Sequence, residues 1–268
     1  MKHHRVATTG AALLFALGAF AAAVPAHGEV PPGIMLTSLE WPPYSGEMLP
    51  HQGASTAVVS AALASMGERV GVRFYPWNRA TALVRGESQF IGYFPEYLSR
   101  EVESNCWLSD PIGSGPLGLA ERSDAPVRWN RLEDLARFKV GVVTGYSNSD
   151  RFDDRVRQGL QQVDFASSDR QNLLKLAARR VPLALIDRRV FDYLIRHDRQ
   201  VAAVAATLRF QARLIETKNL YVCFRRSAEG ERARKLFNDG LRKIDIPAVL
   251  DAALSGTGGT SVPRVAPR

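Results

Sequence analysis

The sequence is poor in the residues that most often announce chemistry: of 268 residues, 2 are Cys and 5 are His. Cys106 and Cys223 have no paired histidines near them, so no metal-ligand spacing exists. His51 and His197 stand alone and no Ser-His-Asp constellation is present, which leaves nucleophilic hydrolysis without a candidate site. The net charge is +8, but the excess arginine (Arg69, Arg73, Arg128, Arg131, Arg155, Arg157, Arg179, Arg180, Arg188, Arg189) is scattered. A nucleic-acid surface needs a basic stripe with interleaved aromatics, so that class of partner is excluded. The apolar run near the start falls short of the roughly 20 residues that a membrane-spanning helix needs.

That run instead reads as an export signal. Residues 1–26 combine a basic start (Lys2, Arg5), an apolar stretch over 11–24 and the small-residue end Val24-Pro25-Ala26, the composition of a cleaved secretory signal peptide. No Cys follows the apolar stretch, so a lipid anchor is not expected. The mature chain is expected in the periplasm, less basic than the whole because Lys2 and Arg5 leave with the signal. Its 46% apolar content predicts a packed interior, as one large domain or two lobes of about 100 residues. Residues 255–268, rich in Gly, Ser and Pro, are expected to be a disordered tail.

Between these ends the pattern alternates strand and helix. Strands are predicted at 33–38, 72–75 and 90–93, with helices at 55–66 and 78–85, the second stopped by Gly86. A loop, Tyr93-Phe94-Pro95-Glu96, then carries the chain toward Arg100 and the segment Leu108-Ser109-Asp110-Pro111. Further strands are predicted at 117–120, 139–143, 163–166 and 183–186, with helices at 132–138, up to about 158, 169–178 and 189–196. A return strand at 220–225 and helices at 231–241 and 247–254 close the series. Open α/β sheets bind ligands beyond the carboxyl ends of their strands, where Trp41, Trp77 and the loop after Tyr93 fall.

The ordered series of an early aromatic (Trp41), a helix ending in Gly86, a loop with Arg100 and the crossing Leu108-Ser109-Asp110-Pro111 resembles the family 3 periplasmic solute-binding proteins. These are the polar amino-acid-binding components of ABC importers, and the resemblance spans roughly residues 33–250. It implies an α/β fold of the two-lobed type II periplasmic binding protein, each lobe a mixed sheet flanked by helices, with a ligand cleft between lobes. The implied limits are 27–110 for the first lobe, 111–222 for the second and 223–254 for the return into the first. Trp41 and Trp77 would clamp the ligand's apolar part, Arg100 and the turn at Ser147 and Asn148 would hold a carboxylate, and Asp187 an ammonium. The family's small hydroxyl residues before the Arg are replaced here by Tyr93-Phe94-Pro95-Glu96, so Tyr93 and Glu96 join the set, with Glu96 a partner for a cationic group.

Each residue also has a plainer reading: Trp41 as a lid on its own core, Trp77 as core, Arg100 paired to Glu101 or Glu103, Ser147 and Asn148 as helix caps, Asp187 as the cap of the helix after it. By the resemblance, Cys106 and Cys223 fall near the segments joining the lobes, which permits a disulfide; two buried free thiols is the alternative. The expected partners are a small polar ligand, an amino acid or related carboxylate, and ABC permease subunits, with a monomeric chain and no cofactor. The rivals are a dehydratase-like periplasmic enzyme on the same fold, using Glu96 or Glu40 as acid, and a ligand-sensing subunit of a membrane receptor. Of these the expectation is a binder, not an enzyme.

Overall fold

Two short hydrophobic strands flank a small-residue helix at the start of the sheet. The computed structural model describes Met1 and residues 33–86 and 89–255, so the expected signal peptide at 1–26 and the tail beyond Ser255 lie outside the described residues. Strand β1 (Ile34–Ser38) is followed by helix α1 (Ala54–Ala64), β2 (Val70–Phe74), α2 (Trp77–Arg85) and β3 (Gly92–Tyr97). Pairing is parallel, β1 to β2 with Ile34 opposite Val70 and β1 to β3 with Leu36 opposite Gly92. After α3 (Arg100–Asn105) and β4 (Cys106–Leu108), the chain runs into the ten-residue β5 (Gly113–Arg122).

A second set of elements follows: β6 (Val140–Val143), α4 (Asp150–Arg157), β7 (Val163–Ala166), α5 (Asp169–Ala177), β8 (Leu183–Asp187), α6 (Arg188–His197) and α7 (Arg199–Ala202). Strand β9 (Leu208–Arg225) returns through 18 residues, and α8 (Ala228–Leu241) and α9 (Ile246–Leu254) pack back on α1. The sheet order is β2-β1-β3-β9-β5-β8-β6-β7, with β4 also on β9. At about 3.3 Å per residue, β9 is about 60 Å long and serves both halves of the sheet. Its far end pairs with β5 (Leu208 opposite Arg122) and its near end with β3 (Phe224 opposite Gly92). Leu220 is the residue where the two pairings meet.

Two expectations are corrected. Tyr93-Phe94-Pro95-Glu96 is not a loop: it continues β3, all buried, to Tyr97, with a register shift between Tyr93 and Glu96 that accommodates the proline, which has no N–H to give the ladder. The return strand begins at Leu208 rather than 220, because residues Leu208–Asn219 find β5 as a partner. Arg100 is likewise not in a loop but opens α3, and α3, β4 and α7 had no predicted counterpart; the other predicted strands and helices lie within a few residues of those observed, apart from a 3₁₀ turn at Leu132–Arg137 in place of a helix. Cys106 and Cys223 form a disulfide across the β4–β9 pair, with Cα atoms 5.6 Å apart. Among the described residues no helix is long and apolar enough to cross a membrane.

Candidate functional site

A cavity of about 540 Å³ opens where the two halves of the sheet meet. One wall comes from α2, β3 and α3 (Trp77, Tyr93, Glu96, Arg100), the other from the β6–α4 turn and α4 (Tyr146, Ser147, Asp153). A hydrogen bond ties the walls together: Trp77 begins α2 directly after Pro76, and its indole Nε1 donates to the Gly145 carbonyl at 3.0 Å. Gly145 has φ +83°, and a Cβ there would meet the Asn78 side chain at 2.1 Å, so only glycine lets the turn approach α2 this closely.

A recess of about 30 Å³ continues inward from the cavity, and Trp77, Glu96, Tyr146 and Ser147 line both spaces. Trp41, Tyr97, Leu39, Pro95 and Leu220 complete its wall. Trp41 is held in a turn by N–H to O bonds with Ser45 at 2.8 and 3.1 Å, stacks on Tyr44 at 4.6 Å, and meets Tyr97 edge-on at 5.8 Å. Trp77 meets Tyr93 and Tyr146 edge-on at 5.4 and 6.3 Å. Glu96 is 5% exposed, accepts from the Tyr97 N–H at 2.8 Å, and the Tyr93 phenol bonds to it. Burial pushes its carboxyl up to about 8, against the opposing pull of that N–H and of Lys218.

Asp187 and Asp169 lie beneath these rings. Asp187, 2% exposed, caps α6 by accepting from the Arg189 and Val190 N–H groups at 2.7 and 3.2 Å. The phenols of Tyr44 and Tyr97 each donate to it at 3.2 Å, and Arg189 Nη1 reaches the Tyr44 oxygen at 3.2 Å. Burial raises Asp187 to about 6 even so. Asp169 is raised to about 7, first by burial and then by the charge of Asp187, and the Tyr146 phenol bonds to it. The Trp41 indole N–H approaches Asp169 closely enough to stabilise its charge, yet meets no acceptor in hydrogen-bond geometry.

The structure thus brings Trp41, Trp77, Tyr93, Glu96, Arg100 and Ser147 onto one connected space, while Asn148 and Asp187 stand behind its wall. Arg100 is 69% exposed at the mouth, and its guanidinium pairs with Asp154 of α4 and, at 3.9 Å, with Asp150. Ser149, rather than Ser147 or Asn148, caps α4, accepting from the Phe152 N–H. Asn148 binds Asp153 through its side-chain amide at 3.0 Å and its N–H at 2.9 Å. Sequence reasoning did not single out Tyr44, Tyr97, Tyr146, Asp169 or Lys218. Lys218 is buried, bound to the Leu98 and Asn148 carbonyls, with Nζ 5.3 Å from the Tyr97 ring centre. Among the described residues no group of three or more His, Cys, Asp and Glu side chains is placed to hold a metal ion.

No family model and no curated protein sequence matches the chain. Solved structures do. A histidine kinase sensor domain with similarity to periplasmic binding proteins superposes with a TM-score of 0.70 at 18% identity, over 83% of this chain and 94% of that one. The chain has the periplasmic-binding-protein fold. The GluR0 ligand-binding core from Nostoc punctiforme, in complex with L-glutamate, gives a TM-score of 0.67 at 13% identity, covering 83% and 98%. Holo ArgBP from T. maritima gives 0.63 at 15% identity, covering 82% and 95%. In this two-lobed fold the long β9 is a strand common to both lobes, and the cavity beside it lies in the cleft between them.

Proposed function

We propose that the protein is an extracytoplasmic binding protein that captures a small polar molecule, an amino acid or related carboxylate, between its lobes for an ABC importer. The lobe limits expected from the sequence (27–110, 111–222 and 223–254) belong to this proposal. The observation that carries it is the cavity of about 540 Å³ whose wall is supplied by both halves of the sheet. A ligand there gains contacts with both walls only when they are together, which is the differential affinity that hinge closure needs. Arg100, at the mouth and mostly exposed, is free to exchange Asp154 for a ligand carboxylate, since an exposed ion pair contributes only about 0–1 kcal/mol. Glu96, buried and lining both spaces, faces the ligand's cationic part.

A thermal-shift screen of amino acids, small carboxylates and polyamines tests the reading. A ligand at about 100 times its Kd adds about 2.7 kcal/mol and raises Tm by several degrees. If the hit carries a carboxylate, Arg100→Ala should remove the shift; a screen in which nothing shifts Tm rejects the reading. A sensing role is the second reading, favoured by the similarity to a histidine kinase sensor domain. Crosslinking in intact cells separates them: capture of importer permease subunits supports transport, capture of a receptor kinase supports sensing.

A further inference from the structure

Strand β9 is covered along one edge and bare along much of the other. On one side β4 and β5 follow it from Arg225 back to Leu208. On the opposite side β3 pairs only with residues 220–224, so among the described residues no strand lies beside Leu208–Asn219 there. At about 3.3 Å per residue that bare edge is about 40 Å long. An unpaired edge presents a row of backbone N–H and C=O groups, a template for a further extended chain.

Two cavities, of about 700 and about 550 Å³, lie along this length. Consecutive residues of β9 line them, 213–219 and 209–213, as befits spaces against the strand's edge rather than against one face of the sheet. The far bank is the loop that carries Trp129 and Asn130, which line both spaces. Buried chemistry fixes this loop. Glu121, 2% exposed, accepts from the Gln211 side-chain amide at 2.6 Å, and the same amide donates to the Val127 carbonyl at 2.9 Å. The Trp129 indole N–H donates to Gln211 Oε1 at 2.5 Å. Arg213 lies over the Trp129 ring, 5.5 Å from its centre, and donates to the Asn130 carbonyl at 2.9 Å. These ties run through side chains of β9 rather than its backbone.

The charge on this groove is largely of one sign. Arg128, Arg131, Arg151, Arg209 and Arg213 line it, against Glu121, Asp150 and Glu216. Arg131 is paired with Asp134, Arg151 with Glu133 and Arg209 with Glu121, whereas among the described residues Arg128 and Arg213 have no acidic partner. Arginines along an edge repel a basic strand and favour an acidic one. We propose that the bare edge of β9 is a docking site for an extended acidic segment of a partner protein, which adds to the sheet as a strand and sets carboxylates against Arg128 and Arg213. Main-chain pairing supplies the affinity of such a contact and alternate side chains its selectivity. Leu98 and Leu214, both exposed, give the larger space apolar surface for one of those side chains. The proposal does not depend on what the cleft binds.

The test is selection from a random library of phage-displayed decapeptides on the whole folded protein, followed by fluorescence anisotropy with the selected peptides made synthetically. The selected sequences are expected to carry Asp or Glu at alternate positions. Arg128→Glu combined with Arg213→Gln, both at exposed positions, should weaken binding at least about tenfold and leave Tm within a few degrees. Successive N–H groups of a strand point to opposite sides, so N-methylation of one alternate set of peptide amides should cost at least about tenfold while the other set is tolerated. Attraction of charge alone would not distinguish the two sets. No enrichment, selected peptides without an acidic excess, affinity that survives the arginine changes, or equal effects of the two methylated sets overturns the proposal. So does sedimentation showing a dimer of the parent that the arginine variant abolishes, which would give the edge to a second copy of the chain.

Discussion

Glu96 is the residue on which the cleft's electrostatics turn, because its carboxyl is buried without a cation in contact. Its folded value of about 8 stands above the ordinary 4.5, so the folded protein holds this proton more tightly than the unfolded chain does. The stability gained from the protonated form is complete below about 4.5 and is lost as pH rises through about 8. Asp187 and Asp169 behave alike, from an ordinary 3.8 to about 6 and about 7. Stability should therefore decline as pH rises from about 5 to about 8, at no more than about 1.4 kcal/mol per pH unit for each group. Tm measured across that range should fall, and Glu96→Gln should flatten the portion between pH 7 and 8 most, where Asp187 is ionised and Asp169 has passed its midpoint. An unaltered slope in the variant would mean that Glu96 is ionised in the folded protein. Arg100→Ala should leave urea stability within about 1 kcal/mol of the parent, as befits an ion pair whose cation is 69% exposed.

At the level of elements, helix α8 tests how tightly the returning chain is docked. A Cβ on Gly240 would lie 2.1 Å from the Ala62 carbonyl of α1 and 3.1 Å from Met66, and a backbone carbonyl inside a helix cannot step aside. Gly240→Ala should cost about 1–3 kcal/mol in urea unfolding, the usual penalty for overpacking. Helix α5 was legible in the sequence because its signal is local, Ser168 capping it from the adjacent residue, whereas α8 was read from its apolar face and starts three residues earlier than expected, at its Ser227 cap. Strand β3 was cut short in the reading because Pro95 looks like a terminator, whereas the register shift against β9 carries the strand past it. The first part of β9 was hidden by Arg209, Arg213, Glu216 and Lys218, which break the apolar alternation. Arg209 is matched to Glu121 on the neighbouring strand, and Lys218 to carbonyls distant in sequence. The same division holds in the cleft. Trp41, Trp77 and Glu96 could be singled out from their places at strand ends, but the phenols on Asp187 and Asp169 could not, since each is set by a partner far along the chain.

For the whole molecule, the disulfide is the longest covalent constraint, joining residues 117 positions apart in the wall of the cavity. Closing a loop of that length removes entropy from the unfolded chain worth about 5 kcal/mol in the chain-entropy model. Reduction, or replacement of both cysteines by serine, should lower the urea midpoint by a corresponding amount; an unchanged midpoint would show that the reduced unfolded chain is already restricted. The position of β9 has a consequence for how the molecule comes into being. This strand lies between β3 and β5, and among the described residues it is followed by the two helices that cover α1. A chain delivered from its N-terminus therefore has neither half of its sheet complete until nearly all of it has emerged. A fragment ending at Thr207 should show no cooperative thermal transition, because the sheet closes only when its last strand arrives.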